Sequence, residues 1–289
     1  MLNNAPSITL LIDCADQKGL VYHITSFIFN HKGNITSIDQ YVDIESNWFF
    51  MRVKWELTNF DIEKNNIVQI FQSTVADKFG ITFDFFFSEN KPKMALFVSK
   101  QAHCLYDLLS KVYAKDFWVE IPCIISNHLE LAHIAQDFGI NFHYLPITPE
   151  TKAAQEEKSL ELLANYEVDF LVLARYMQVL SEDFVKHYPN QIINIHHSFL
   201  PAFAGARPYH AAFERGVKII GATGHYVTTD LDEGPIIEQD VIRIEQGDSI
   251  PDLIRKGQDM EKAVLSRSVY LHLQHRTLVR NNKTVVFKG

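Results

Sequence analysis

The sequence predicts an α/β protein in two parts, an N-terminal antiparallel sheet with helices on one face and then a larger, mostly parallel sheet covered on both faces. Three observations carry this expectation. Through residue 88 the apolar periodicity runs strand, helix, strand, strand, helix, strand. The stretch Ser88-Glu89-Asn90-Lys91-Pro92-Lys93 is polar and holds a proline, which makes residues 89–93 the expected linker. Beyond it, short continuously apolar runs alternate with helical patterns, and strands apolar on both faces belong in a parallel sheet buried on each side.

Residues 7–14 (SITLLIDC) are apolar enough for a buried strand, closed by the turn Asp16-Gln17-Lys18-Gly19. Leu20, Ile24, Phe27 and Ile28 then fall at helical spacing, and Lys32-Gly33-Asn34 supplies a glycine stop. Strands at 35–44 and 48–57 flank the tight Glu45-Ser46-Asn47 turn. Residues 62–79 set Ile67, Ile70, Phe71 and Val75 on one helical face, and Gly80 ends that helix before a strand at 81–87. This βαββαβ order over residues 1–88 is the ferredoxin-like plan. The strand-turn-helix segment Asp13-Cys14-Ala15-Asp16-Gln17-Lys18-Gly19-Leu20 resembles an ACT domain, whose loop after the first strand binds a small amino acid between paired domains. That resemblance implies a homo-oligomer and an effector such as glycine or methionine near Asp16, Gly19 and Leu20, or else an assembly module with no ligand.

The second part, residues 94–289, is expected to be Rossmann-like. Strands are placed at Met94–Val98, 119–126, 142–145 and Phe170–Leu173, with helices at 102–114, 129–138 and 153–166 and a further short piece at 184–187. The next strand opens with Ile192 and Ile193 and carries Asn194 and His196; Pro201 has no N–H for a ladder, so the strand should stop near Leu200. A short helix at 211–215 precedes a hairpin of 219–228 and 235–244, turning at Asp230-Leu231-Asp232-Glu233-Gly234. In the last helix Ile250, Leu253, Ile254, Met260, Ala263, Val264 and Tyr270 trace one stripe, with Ser249 as N-cap and Asp252 three residues on. Residues 284–287 add a final strand.

At 289 residues and 47% hydrophobic content the chain buries a full core, and its net charge of -8 argues against nucleic acid, which would demand a basic stripe. Cys14, Cys104 and Cys123 stand far apart with no CxxC, pointing away from disulfides and structural zinc and toward a reduced, cytoplasmic setting. The N-terminus shows no secretion signature, and no run reaches the ~20 apolar residues that span a bilayer.

Chemistry concentrates at Asn194-Ile195-His196. Alternate side chains of a strand share a face, so an amide donor and an imidazole sit side by side at a strand end, where open α/β sheets place their sites. An Asn amide suits a carbonyl oxygen whose charge grows as a nucleophile adds, an imidazole shuttles protons near pH 7, and the Asp232 carboxylate can fix the imidazole, hold water or relay protons. Together these describe addition to a carbonyl followed by loss of an amine. Singly, each residue has an ordinary role, and Asp before Gly is turn chemistry. A metal site drawn from His196, His197, His210, His225 and Asp232 is disfavoured, because adjacent histidines of a strand face opposite ways and no HExxH helix completes it. Ser198 lacks a GxSxG elbow.

Four stretches, 194–201 (NIHHSFLP), 204–210 (AGARPYH), 221–227 (GATGHYV) and 231–237 (LDEGPII), resemble the formyltransferase fold that uses 10-formyltetrahydrofolate. The resemblance implies catalytic roles for Asn194, His196 and Asp232, with His225 and Gly234 among the substrate-binding residues. It also implies a folate-binding loop at Ala174-Arg175-Tyr176-Met177-Gln178-Val179-Leu180, through Arg175, Tyr176, Met177, Val179 and Leu180. Gly224 departs from the alanine expected at its position.

The acceptor of the formyl group is a separate question. No glycine lies between Met94 and Gly139, which disfavours a backbone nest for a phosphorylated amine such as glycinamide ribonucleotide, and no basic domain is present for tRNA. Water remains. The two-part layout is similar to the formyltetrahydrofolate deformylase family, which implies hydrolysis to tetrahydrofolate and formate in one-carbon metabolism, feeding purine biosynthesis, with no cofactor, metal, nucleic acid or membrane. A folate-dependent formyltransferase to an amine and a non-catalytic folate sensor are the alternatives.

Overall fold

The structure, a computed structural model, describes residues 5–201 and 208–288, so part of the AGARPYH stretch lies outside the described residues. It divides into two compact units. The first runs to Lys91 and also takes in His275–Leu278 and Val285–Gly289; the second comprises Pro92–Gln274 and Val279–Thr284.

In the first unit, β1 (Ser7–Ala15), α1 (Leu20–Asn30), β2 (Asn34–Asp43), β3 (Trp48–Glu56), α2 (Lys64–Phe71), a π-helical turn (Gln72–Ala76), α3 (Asp77–Phe79) and β4 (Thr82–Phe87) follow in order. The sheet order is β2-β3-β1-β4, antiparallel throughout. Alternation decides the layers. Ile8, Leu10, Ile12 and Cys14 of β1 meet Ile24 and Ile28 of α1 and Phe71 of α2, while Leu11 and Phe50 turn to the other face and meet Phe287. Phe287 is the reason the chain's last residues join this unit, where the sequence expectation kept everything from 94 to 289 in the second. The helix expected at 62–79 is interrupted by the π turn and closed by Gly80, whose φ of 62 is left-handed.

The second unit holds β5 (Met94–Val98), α4 (His103–Tyr113), β6 (Cys123–Ser126), α5 (Ala132–Asp137), β7 (Asn141–Tyr144), α6 (Lys152–Asn165), β8 (Phe170–Leu173), α7 (Glu182–Lys186), β9 (Ile192–His196), α8 (Pro208–Arg215), β10 (Ile219–Tyr226), β11 (Ile236–Arg243) and α9 (Ile250–Leu273). A final hairpin, β12 (Thr277–Arg280) and β13 (Lys283–Val286), follows; its first strand carries no sequence expectation. The seven-stranded sheet is ordered β11-β10-β9-β8-β5-β6-β7, parallel from β9 to β7 and antiparallel at β9-β10 and β10-β11. After β7 the chain returns to the other side of β5, so the switch point lies between β5 and β8, and the crevice at their C-terminal ends is where such sheets bind ligands.

Two strand boundaries depart from expectation. The run expected from 119 shrinks to Cys123–Ser126, because Pro122 cannot donate and Glu120 makes only an isolated bridge to Lys93. β9 stops at His196 rather than near Leu200. The following backbone leaves the ladder for side chains: the Leu200 N–H donates to Thr223 Oγ1 (3.0 Å), and the Thr223 hydroxyl donates to the Ser198 carbonyl (2.9 Å). On α9 the Asp252 carboxylate accepts from the Ser249 N–H (3.0 Å) and hydroxyl (2.6 Å), as the capping pattern predicts. Its buried face, however, runs through Leu253, Gly257, Glu261, Val264, Leu265 and Ser268, while Tyr270 of the expected stripe is exposed.

Candidate active site

The parallel pairing of Leu173 with Asn194 and the antiparallel pairing of Asn194 with His225 and His196 with Thr223 fix β9 between β8 and β10. Asn194 and His196, two residues apart, therefore share a face, as the sequence predicts. Asp232 comes from the β10-β11 loop in a left-handed conformation (φ 58) and places Oδ2 3.2 Å from His196 Nδ1 and Oδ1 3.7 Å from His225 Nε2. The three expected catalytic residues and His225 thus converge.

Hydrogen-bond partners determine the proton positions. The Tyr226 carbonyl can only accept, so His225 Nδ1, 3.0 Å away, carries its proton, and Nε2 accepts from the Asn194 amide at 3.2 Å. Burial pushes the His225 pKa below its ordinary value, which keeps this imidazole neutral. The Asp232 pKa is also lowered, chiefly by the hydrogen bond from His196, against the opposing effect of burial. An ionised Asp232 makes His196 Nδ1 the donor. In the neutral form of that ring Nε2 bears the lone pair, and this atom is buried without a hydrogen-bond partner among the described residues.

Gly234 is held here by space. A Cβ on it would stand 1.8 Å from the Tyr226 carbonyl oxygen and 3.4 Å from His225 Nδ1. Gly224 is explained on the other side of β10, where a Cβ would lie 2.1 Å from Ser268 Oγ of α9; the serine occupies the room an alanine would need.

The segment expected to bind folate leaves β8 at the switch point. Arg175 takes a left-handed φ of 64 and turns its side chain inward, and Tyr176 is buried, with its hydroxyl accepting from Gln155 Nε2 (3.3 Å). Met177 and Val179 are 55% and 53% exposed and form an apolar surface, while Leu180 packs partly into the core. The Met177 N–H donates to Ser99 Oγ (3.1 Å), whose own proton goes to Asn127 Oδ1 (2.7 Å), so the loop after β5 is tied to the loop after β8. In the first unit Gly19 is left-handed (φ 93) and exposed, the Asp16 N–H donates to the Asn47 carbonyl (2.9 Å), and the Leu20 side chain is core. Of the three, Leu20 is committed to the core, whereas Asp16 and Gly19 keep exposed surface.

Sequence reasoning missed a buried polar group beneath the site. Glu261 of α9, 1% exposed, accepts from His103 Nε2 (2.8 Å) and the Tyr209 hydroxyl (2.5 Å) and lies 3.4 Å from Arg175 Nε. The only sequence signal is Gly257, one turn before Glu261 inside a long helix. His103, Cys104 and Glu261 bring three potential metal ligands together, but the Arg175 guanidinium already supplies the cation, and burial pushes the Cys104 thiol far up. Of the metal set considered from sequence, two members are committed elsewhere: His225 Nδ1 to a carbonyl, and His197 Nδ1 to Arg175 Nη1 at 2.9 Å.

Residues 92–269 match the family model described as formyl transferase. A formyltetrahydrofolate deformylase of Synechocystis sp. is 54% identical over 96% of this chain and 98% of its own length. The crystal structure of a formyltetrahydrofolate deformylase from Pseudomonas syringae pv. tomato superposes with a TM-score of 0.96 at 40% identity, covering 99% of this chain and 96% of that one. A glycinamide ribonucleotide transformylase from Symbiobacterium toebii reaches a TM-score of 0.64 at 28% identity, covering 70% of this chain and 96% of that one. Among the described residues no helix is long and apolar enough to cross a membrane.

Proposed function

This chain belongs to the formyl transferase family and, within it, to the formyltetrahydrofolate deformylases, and from that premise we propose how Asn194, His196 and Asp232 hydrolyse 10-formyltetrahydrofolate to tetrahydrofolate and formate. The observation that carries the assignment is the buried Nε2 of His196, which has no hydrogen-bond partner among the described residues, on a ring whose Nδ1–H is held by Asp232. That lone pair takes a proton from water as the water oxygen bonds to the formyl carbon. The carbonyl electrons move to oxygen, and Asn194 stabilises the oxyanion with the amide proton not given to His225. Asp232 stabilises the imidazolium that results. His196 then returns the proton to N10 as the C–N bond breaks, leaving tetrahydrofolate, and formic acid ionises.

Met177, Val179 and the backbone from Arg175 to Leu180 form the surface for the pterin, and His225 and Gly234 support the reacting groups rather than touching the formyl group. Water is favoured as acceptor over a phosphorylated amine because the turn after β5 has no glycine, and Ser99 within it is spent on Asn127 and Met177. The test is formate release from 10-formyltetrahydrofolate with no amine present. Asn194→Ala should lower kcat on the order of a hundredfold. Folate binding with no formate from the wild-type chain would instead mark a sensor.

The first unit pairs with a second copy and takes glycine or methionine at the Asp16–Gly19 turn. Exposed Tyr22, Phe29 and Ile44 supply apolar surface for such pairing. Calorimetric titration with both amino acids, giving neither heat nor a change in rate, would leave that unit an assembly role alone.

A further inference from the structure

We infer that Glu261 is a positioning residue for hydrolysis, acting on His196 through Arg175 and His197. This rests on the role given to His196 above. A carboxylate 1% exposed on the inner face of a helix costs several kcal/mol to desolvate unless it is fully paired, and a well-packed apolar residue would serve stability as well or better. What the pairing achieves is therefore the question. Burial works to raise the Glu261 pKa, yet the hydrogen bond from His103, the charge of Arg175 and the hydrogen bond from Tyr209 outweigh it and hold the carboxyl ionised.

The helix is shaped for this cluster. Gly257, one turn before Glu261, would place a Cβ 2.2 Å from the Tyr209 hydroxyl, so a glycine in the helix interior, which costs ~1 kcal/mol relative to alanine, gives Tyr209 its seat. With both carboxylate oxygens engaged, Arg175 is oriented from two sides: Nε lies 3.4 Å from Glu261 and donates to Gln101 Oε1 at 3.0 Å.

Arg175 Nη1 then donates to His197 Nδ1 at 2.9 Å. A guanidinium only donates, so His197 must present a lone pair there and carry its proton on Nε2. A regular strand would turn adjacent histidines to opposite faces, but β9 ends at His196, and the His197 ring stacks on the His196 ring with centroids 4.9 Å apart and an interplanar angle of 20°. His196 is thus fixed in the plane of its ring by Asp232 and across its face by a neighbour whose tautomer and orientation descend from Glu261.

The experiment compares Glu261→Gln with the double variant Glu261→Gln/Arg175→Met, measuring formate release and thermal melting. Glu261→Gln strands a buried guanidinium and should lower Tm by roughly 10 °C, with kcat down at least about tenfold. The double variant is again charge-balanced and should recover most of the Tm while kcat stays at least about tenfold down, with KM changed less than kcat. Recovery of kcat together with Tm would show a purely structural cluster and overturn the inference. So would restored kcat with a raised KM, which would assign Arg175 to folate binding alone. A wild-type chain releasing no formate would sink the functional reading itself, a distinct outcome.

Discussion

Replacing Gly234 with alanine should disable the site through a contact no substrate makes. The added Cβ would stand 1.8 Å from the Tyr226 carbonyl oxygen, inside the 3.0 Å that real Cβ contacts observe. The carbonyl belongs to a backbone held at Tyr226 N by Pro235 O (2.9 Å), so hairpin and loop must part by about 1 Å. Where the Tyr226 carbonyl turns away to make room, the bond it accepts from His225 Nδ1, 3.0 Å at rest, is lost as well. A buried N–H left unpaired costs about 1–3 kcal/mol. Asp232, two residues away on the displaced loop, moves with it, and a misplacement of about 1 Å costs on the order of a hundredfold in rate. Gly234→Ala should therefore lower kcat for formate release about a hundredfold and stability by about 2 kcal/mol, read by denaturant unfolding. Gly247→Ala is the control, since nothing lies within 4 Å of its added Cβ, and should stay within about 0.5 kcal/mol. A Gly234→Ala chain with kcat within threefold of wild type would refute the steric argument.

Asp232→Asn keeps the size of the side chain but removes the charge that holds the His196 tautomer, and should cost ~10³-fold or more in kcat with Tm nearly unchanged; a loss under tenfold would mean that Asp232 does not fix His196. Partly buried His272 accepts from the Tyr226 hydroxyl (2.9 Å) and packs on Phe170, and desolvation lowers its pKa from 6.5 to about 4. Between those values the unfolded chain binds a proton that the folded chain refuses, so stability present above pH 6.5 is lost as pH falls toward 4, by about 3 kcal/mol. Denaturant midpoints should trace this loss, and His272→Phe should flatten it; an unchanged profile would rule His272 out as its source.

Much of the fold was legible because its signals are local. The α1 stripe of Leu20, Ile24, Phe27 and Ile28 is buried as the 3.6-residue period predicts, and β8 has the bounds of its apolar run. Errors arose where tertiary bonds override a local rule. Pro201 marked the end of β9 too late because Thr223, on the neighbouring strand, draws the backbone away after His196. The α9 stripe was misread because its buried face includes Gly257 and Glu261, which hydropathy assigns to solvent. The site shows the same division. Asn194 and His196 share a strand and could be paired from spacing, whereas Arg175, Tyr209 and Glu261 meet only through the packing of α8 and α9 beneath the sheet's switch point.

The claim that these residues direct water to a formyl carbon is tested most directly by single-turnover formate release in ¹⁸O-labelled water, with no amine present. Attack of water on the formyl carbon predicts stoichiometric formate and tetrahydrofolate, with one solvent oxygen in each formate. Formate that appears only when an amine is added, or that carries no solvent oxygen, would contradict it.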